Sequence, residues 1–106
     1  MNRFASYEVS IELIRALRVV MPRIKQHDAD LAKQIRKAAT SIALNLGEGR
    51  KRVGEDRTHL FRIANGSAGE VEAGLDVAES WGYIEAGPEL RRLLSRLLAL
   101  LWGLVH

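Results

Sequence analysis

The chain has 106 residues, no cysteine and a formal net charge of +3. This length suits one domain, residues 1–106, with a single core and no large enclosed active site. The lack of cysteine excludes disulfides, thiolate catalysis and cysteine zinc sites, and it is compatible with a reducing cytoplasm. The most apolar segment, residues 97–105, is too short to span a bilayer, and the N-terminus lacks a signal-peptide pattern. We therefore expect a cytoplasmic protein.

The composition favours helices, and the charges are unevenly distributed. Hydrophobic residues make up 47% of the chain but aromatic residues only 6%, so the core must be aliphatic. Residues 33–62 carry eight Lys or Arg and three acids, a net charge of +5. Residues 63–90 carry six acids and no Lys or Arg, a net charge of −6. Such a division suits an anionic ligand at one end, or head-to-tail contacts between subunits.

The first part of the chain predicts one helix that begins near Ser6. Its apolar residues recur at helical spacing: Leu13, Ile14, Leu17, Val20, Met21 and Ile24. We expect Pro22 to disturb the end of this helix, because proline lacks an N–H donor and restricts the residue before it. Residues 26–30 then predict a connection in which Asp28 or Asp30 caps the next helix.

The second helix is predicted from about Ala29 to about Leu46, where Gly47 and Gly49 favour a stop. Its apolar face comprises Ile35, Ala38, Ala39, Ile42 and Leu46. Beside this face runs a polar stripe, which consists of Gln34, Ser41, Asn45 and Glu48. Because a plain surface helix would carry Lys and Glu there, the stripe indicates hydrogen-bond partners on another helix.

A basic segment, residues 50–54, leads into a third helix predicted from about Asp56 to about Trp81. Its interior contains three glycines: Gly66, Gly69 and Gly74. Each costs roughly 0.8–1 kcal/mol relative to alanine in a helix interior. We expect another backbone to approach this face closely in compensation, with a break at Asn65 and Gly66 as the alternative.

The fourth helix is predicted from about Glu89 to about Leu104, after Gly82 at the end of the third helix and Pro88 in the first turn. Its core stripe is Leu90, Leu93, Leu94, Leu97, Leu101 and Leu104. The flanking residues Leu98, Leu100 and Trp102 would expose more apolar surface than a monomer should, which favours an oligomer. Four helices with short connections predict an all-α, antiparallel up-down-up-down four-helix bundle.

Two stretches of the chain resemble one protein family. They are residues 34–52, QIRKAATSIALNLGEGRKR, and residues 60–75, LFRIANGSAGEVEAGL. The matching positions are Gln34, Arg36, Ala38, Ala39, Ser41, Ile42, Asn45, Glu48, Gly49, Phe61, Ala64, Gly66, Ser67 and Glu70, with Tyr83 in a Gly-Tyr-Ile turn. At these positions the chain resembles the four-helix-bundle proteins encoded in intervening sequences of bacterial 23S rRNA genes.

The resemblance implies an antiparallel four-helix bundle that assembles into a homo-oligomeric, pentameric ring. The family is similar to the accessory variability determinant of diversity-generating retroelements, a pentameric basic barrel that binds nucleic acid and a reverse transcriptase. This chain departs from the family form Asn-Ile-Ala-Glu-Gly, because Gly47 lies between Leu46 and Glu48. We expect the extra glycine to loosen that turn.

We expect a structural polar network that consists of Gln34, Ser41, Asn45, Glu48, Ser67 and Glu70. Buried polar groups need partners, and Ser41 or Asn45 facing Ser67 or Glu70 would supply them. The other interpretation makes Glu48 and Glu70 a carboxylate pair for acid–base work or metal binding. No histidine lies near either residue in the sequence, whereas bundle metal sites add Glu-x-x-His pairs. We therefore expect no metal site.

The basic residues predict a surface that binds nucleic acid. The candidates are Lys33, Arg36, Lys37, Arg50, Lys51, Arg52 and Arg57. No aromatic residues are interleaved with them, so binding would be to backbone phosphates. Arg36 is alternatively expected to pair with Glu70 or Glu72 of a neighbouring subunit. The first-helix charges Glu12, Arg15 and Arg18 are expected to be solvated.

Little in the sequence predicts catalysis or a cofactor. Arg52 and His59 loosely match the Arg-x4–6-His motif of a class of four-helix ribonucleases, in which the histidine acts as general acid or base. No phosphate-binding loop or dinucleotide fingerprint is present. We expect no cofactor and a non-enzymatic, homo-oligomeric module that binds RNA, DNA or a ribonucleoprotein. A purely structural or protein-interaction ring is the alternative, and a ribonuclease is a remote one.

Overall fold

The computed structural model describes residues 3–106, with side chains from residue 5 onward. All regular structure in this part of the chain is helical. The helices are α1 (Arg3–His27), α2 (Ala29–Gly49), α3 (Gly54–Ser80) and α4 (Gly87–Val105). The predicted all-α fold of four helices is thus confirmed. Each helix packs against two others, α1 on α2 and α4, and α3 on α2 and α4.

Helix α1 continues through Pro22 as far as His27, so this proline does not end the helix as expected. Pro22 itself is exposed, and its neighbour Ile24 is fully buried in the core. The free energy gained by burying the turn after Pro22 therefore outweighs the cost of the backbone hydrogen bond that proline cannot donate. Asp28 alone separates α1 from α2, and its Oδ1 accepts a hydrogen bond from the backbone N–H of Leu31 at 3.0 Å. Asp28, and not Asp30, is the N-cap.

Helix α2 continues through Gly47 to Gly49, three residues beyond the predicted end. Both glycines are packed against other helices. A Cβ atom on Gly47 would lie 3.3 Å from Tyr7 Cε1, and one on Gly49 would lie 2.7 Å from Phe61 Cε1. Tertiary packing therefore holds the last turn of α2 where the local sequence favours a stop.

Helix α3 is unbroken across Asn65 and Gly66, so the alternative of a break is wrong. It begins at Gly54, whose φ of +63° suits glycine. It ends before Gly82, which has a φ of +77° and donates its N–H to the carbonyl oxygen of Glu79 at 2.9 Å. Gly82 thus occupies the predicted position after the helix.

The core is aliphatic and receives residues from all four helices. Its fully buried large side chains include Leu13, Ile24, Ile35, Ile42, Leu46, Val71, Leu75, Leu94, Leu97 and Leu101. Leu98 and Leu100 are half-buried and pack against this core, whereas Trp102 is 62% exposed. The expectation that all three flanking residues of α4 remain exposed is therefore wrong for the two leucines.

Close approach explains only one of the three interior glycines of α3. A Cβ atom on Gly74 would lie 2.6 Å from Cγ1 of Ile35 in α2, so only glycine fits there. By contrast, a Cβ atom on Gly66 or Gly69 would meet no other atom within 4 Å. Those two glycines lie on the exposed side of α3, and packing within the chain does not account for them.

Candidate functional site

Three members of the predicted polar network meet where α2 packs against α3. Ser67 Oγ donates to Ser41 Oγ at 2.9 Å. Asn45 Nδ2 donates to the carbonyl oxygen of Ser41 at 2.8 Å and lies 3.1 Å from its Oγ. Ser67 is buried and the other two are half-buried, so the cluster lies at the edge of the core.

The other three members lie outside this cluster. Gln34 and Glu70 are exposed and face a small surface depression between α2 and α3, without a side-chain hydrogen bond to any described residue. Glu48 accepts two hydrogen bonds from Arg52. Glu48 and Glu70 therefore do not form a carboxylate pair in the described part of the chain.

The cations predicted to bind nucleic acid form two groups at opposite ends of α2. Lys33, Arg36 and Lys37 lie in its first half, and all three are exposed. The second group, Arg50, Lys51, Arg52 and Arg57, lies around the connection to α3. Lys37 and Arg50 are separated by about 20 Å along the helix axis, since each residue rises 1.5 Å. We call the second group the loop cations.

Two further cations join the first group. An open groove between α1 and α2 is bordered by Arg18 and Lys25 of α1 as well as by the three α2 cations. We call these five residues the groove cations. None of them forms an ion pair with a described residue, although Asp30 also lies at the groove. Apolar side chains, among them Ile14, Leu17 and Met21, line the groove between the charges.

Sequence reasoning missed Arg18 and Lys25 as part of this site and assigned Arg18 to solvated surface. The position of the α1–α2 connection supplies the missing signal. Since only Asp28 lies between the helices, residues equally distant from it lie side by side, which brings residues 18–25 beside the first half of α2. Helical spacing then places both cations on the side of α1 that borders α2.

Two of the four loop cations have a partner within the chain. Arg52 donates from Nε and Nη2 to Glu48 Oε1 at 2.9 and 2.8 Å, and this hydrogen bond raises the pKa of Arg52 above its usual value. The Arg50 guanidinium lies 4.4 Å from the centroid of the Tyr7 ring, a cation–π contact. Two acids, Glu55 and Asp56, occupy the first turn of α3 beside the loop.

A negative surface lies at the end of the bundle that contains the groove cations. Arg91 pairs with Asp76 at 2.8 Å and also with Glu79, whose carboxylate accepts the Ala86 N–H at 3.1 Å. The hydrogen bond from Arg91 lowers the pKa of Glu79. In the same region, Glu70, Glu72 and Glu85 form no ion pair with a described residue.

The residues of the remote ribonuclease alternative are not joined by a hydrogen bond. His59 is exposed and makes no side-chain hydrogen bond to a described residue. Arg52 is bound to Glu48. Over the described residues, no three His, Asp or Glu side chains come together as a set of metal ligands.

No helix between residues 3 and 106 is both long enough and apolar enough to cross a membrane.

No curated protein matches the chain. A solved structure of a protein of unknown function from the S23 ribosomal protein family of Bacteroides thetaiotaomicron is similar, with a TM-score of 0.83 and 22% sequence identity. The likeness covers 94% of this chain and 97% of that one. At this identity it shows a shared fold.

The sequence carries the family assignment. The model of the family described as 23S rRNA-intervening sequence protein matches residues 4–103. This stretch includes the polar stripe of α2, the glycines of α3 and both groups of cations. Since the match extends over all four helices, the chain belongs to the 23S rRNA-intervening sequence protein family.

Proposed function

We propose that the protein is a non-enzymatic, homo-oligomeric module that binds nucleic acid, or a ribonucleoprotein, through the basic surface of α2. In this proposal the helices form an antiparallel up-down-up-down bundle, and the subunits assemble into a pentameric ring in the cytoplasm. The single observation that supports binding is the set of groove cations, none of which has an ion-pair partner among the described residues. Cations held in internal ion pairs would be less available to phosphates.

The proposed binding is to the phosphate backbone and not to bases. None of the described aromatic side chains lines the groove, so among these residues there is no platform for base stacking there. Lysine and arginine neutralise phosphates and release condensed counterions, which makes the affinity fall steeply with salt. We therefore expect weak dependence on nucleotide sequence and strong dependence on ionic strength.

Lys33 and Lys37 offer the sharpest test, because both are exposed and four residues apart on α2. We expect Lys33→Gln with Lys37→Gln to lower the slope of log affinity against log salt by about two for double-stranded nucleic acid. The matched control is Lys51→Gln with Arg52→Gln, which also removes two cations. It should lower the slope by about one, since Arg52 is bound to Glu48.

Binding is measured by fluorescence anisotropy with labelled RNA and DNA duplexes. The salt concentration is varied from about 50 to about 200 mM, a range over which the affinity of phosphate contacts falls steeply. No binding by the wild type at the lowest salt would refute the proposed function. A larger effect of the loop variant than of the Lys33 and Lys37 variant would refute the assignment of the surface. In the first case the alternative of a structural or protein-interaction ring stands, supported by Glu70, Glu72 and Glu85, which form no ion pair with a described residue.

A further inference from the structure

The α1–α2 groove contains hydrogen-bond acceptors as well as cations. Thr40, Ser41 and Asn45 follow Lys37 along α2, and all three line the groove. Phosphate oxygens are themselves acceptors, so they attract the cations but form no hydrogen bond with another acceptor. Binding to phosphates therefore does not explain this polar part of the groove.

Asn45 carries the most firmly placed of these acceptors. Its Nδ2 donates to the carbonyl oxygen of Ser41 at 2.8 Å and lies 3.1 Å from Ser41 Oγ, which orients the amide. Because a carbonyl oxygen has no hydrogen to donate, the amide cannot be turned around without losing this contact. Asn45 Oδ1 accepts no hydrogen bond from a described residue. Since every buried side-chain oxygen among these residues has a partner, Oδ1 is open to solvent.

Thr40 supplies a second acceptor close to the cations of α2. It is exposed, and its Oγ1 donates to the carbonyl oxygen of Arg36 at 2.8 Å. The single hydroxyl hydrogen is thus engaged, whereas the lone pairs of Oγ1 remain able to accept. Arg36 and Lys37 precede Thr40 by four and three residues, spacings at which side chains of one helix are neighbours. A ligand group beside these two cations therefore also meets an acceptor.

The backbone of RNA presents groups in the matching order. Along a sugar–phosphate backbone the 2′-hydroxyl of ribose is the hydrogen-bond donor, and DNA lacks it. In an A-form RNA duplex the wide and shallow minor groove displays 2′-hydroxyls beside the phosphates. Thr40 lies about 6 Å beyond Arg36 along the axis of α2, and Asn45 lies about 7.5 Å beyond Thr40. One strand can therefore place phosphates at the cations and riboses at both acceptors.

Ribose fits the groove better than a base does. Base amino groups also donate hydrogen bonds, but none of the described aromatic side chains lines the groove to hold a base in place. The groove is open and bordered by charges, which suits contact along the outside of a strand. Contact with ribose distinguishes RNA from DNA without reading the nucleotide sequence.

We propose that the α1–α2 groove selects RNA over DNA, with phosphates at the groove cations and 2′-hydroxyls donating to Asn45 Oδ1 and Thr40 Oγ1. This inference rests on the proposed function, because it names the nucleic acid that the same surface binds. Lys33 and Lys37 keep their role as phosphate contacts. Asp30 also lies at the groove but is confined to the first turn of α2, about 15 Å along the axis from Thr40.

The preference is measured by fluorescence anisotropy at constant low salt, with duplexes of one sequence made of RNA, DNA or 2′-fluoro RNA. A 2′-fluoro duplex keeps the A-form but has no hydroxyl hydrogen, so it separates the hydrogen bonds from the shape of the duplex. We expect the wild type to bind RNA about tenfold more tightly than DNA, since each hydrogen bond is equivalent to about fivefold in affinity. The 2′-fluoro duplex should bind with an affinity near that of DNA.

The residues are tested by Asn45→Ala and Thr40→Val, which each remove one acceptor. Each variant should lower the affinity for RNA about fivefold and leave the affinity for DNA unchanged. The salt slope should stay at the wild-type value, because neither variant removes a charge. Ser41 keeps its hydrogen bond to Ser67 in both variants, and circular dichroism verifies that they remain helical.

Two matched controls lie outside the groove. Gln34→Ala removes an exposed amide from the same helix. Thr58→Val removes a hydroxyl that donates to the carbonyl oxygen four residues earlier, that of Gly54, at 3.2 Å. Both controls should keep the wild-type preference for RNA.

Three outcomes would overturn the inference: equal affinity for RNA and DNA, a 2′-fluoro duplex that binds as tightly as RNA, or a preference that survives Asn45→Ala combined with Thr40→Val. In each of these the protein still binds nucleic acid, so the proposed function stands. The first two outcomes need only the wild type and do not depend on the folding of a variant. A wild type that binds none of the duplexes would refute the inference and the proposed function together.

Discussion

The two ends of α2 are packed alike but differ in the charge that they make available. At each end a glycine permits close contact with another side chain, Gly74 with Ile35 in the first half and Gly49 with Phe61 at the last turn. Yet Lys33, Arg36 and Lys37 have no ion-pair partners among the described residues, whereas Arg52 is bound to Glu48. The number of cations in a segment therefore does not measure the charge that it offers to a ligand.

The difference has a simple structural origin. Glu48 precedes Arg52 by four residues, the spacing at which side chains meet on one helical face. In the first half of α2, Asp30 precedes Lys33 by three residues, which is also a spacing at which side chains can meet, but the two form no ion pair. Arg18 and Lys25 add positive charge from α1 across the groove. At one end of the helix Arg52 is thus held in an internal ion pair, whereas the cations at the other end have no ion-pair partner among the described residues.

The largest expected effect is on stability, and it tests the close glycine contacts found at both ends of α2. We expect Gly74→Ala to destabilise the fold, because overpacking against Ile35 costs about 1–3 kcal/mol and the gain in helix propensity returns only about 0.8–1 kcal/mol. Gly49→Ala should act in the same direction through Phe61. The matched control is Gly66→Ala, which should stabilise a dissociated subunit by about 0.8–1 kcal/mol, since its Cβ atom meets nothing. Urea unfolding measures all three, and a stabilising Gly74→Ala would contradict the packing.

A smaller effect is expected from removing the compensation at the end of α2. In Glu48→Gln, the guanidinium of Arg52 loses its carboxylate partner and becomes available to phosphate. We expect nucleic-acid affinity to rise a few-fold, with a salt slope steeper by about one. Glu55→Gln also removes one negative charge near the loop, but it releases no ion pair, so its effect should be smaller. Equal effects of the two variants would mean that only net charge matters.

The smallest expected effect is on the stability of the fold at low pH, and it concerns the ion pair of Glu79 with Arg91. The hydrogen bond from Arg91, together with the Ala86 N–H, lowers the pKa of Glu79 in the folded protein. Its contribution to stability is therefore complete above the pKa of an unfolded glutamate, and it is lost as the pH falls through the lowered folded value. Since Glu79 is partly exposed, the effect is limited by solvent screening.

The measurement is the urea midpoint of the wild type and of Glu79→Gln between pH 7 and pH 3. We expect the difference between the two proteins to shrink as the pH falls below about 4.3, the ordinary glutamate value. Glu72→Gln is a suitable control, because Glu72 has no ion pair with a described residue. A difference that is constant across this pH range would contradict the assigned role of Glu79.

Local sequence signals predicted the elements of the fold well. Helical periodicity predicted four helices, and Asp28 and Gly82 act at the predicted helix ends. The predictions that differ from the structure are those where local preference competes with packing. Pro22 and Gly47 each favour a helix end, but burial of Ile24 and contact with Tyr7 keep both helices continuous.

The candidate site was predictable only in part. The sequence identified Lys33, Arg36 and Lys37. It also offered Ser67 or Glu70 as the partner of Ser41 or Asn45, and of these pairs the structure joins Ser41 and Ser67 by a hydrogen bond. It did not separate the groove cations from the loop cations, because both lie within one basic stretch of the chain. It also did not associate Arg18 and Lys25 with α2, since that requires the packing of α1.

By itself the sequence determined the helical class, the family and the division into a basic and an acidic segment. Periodicity, motifs and charge depend only on residues that are close together in the sequence. Only the tertiary structure decided which cations are compensated and which glycines are in contact. Those properties depend on side chains that are distant in sequence but adjacent in space. Gly74 and Gly69 illustrate the point: they are five residues apart on one helix, yet one lies against Ile35 and the other opens to empty space.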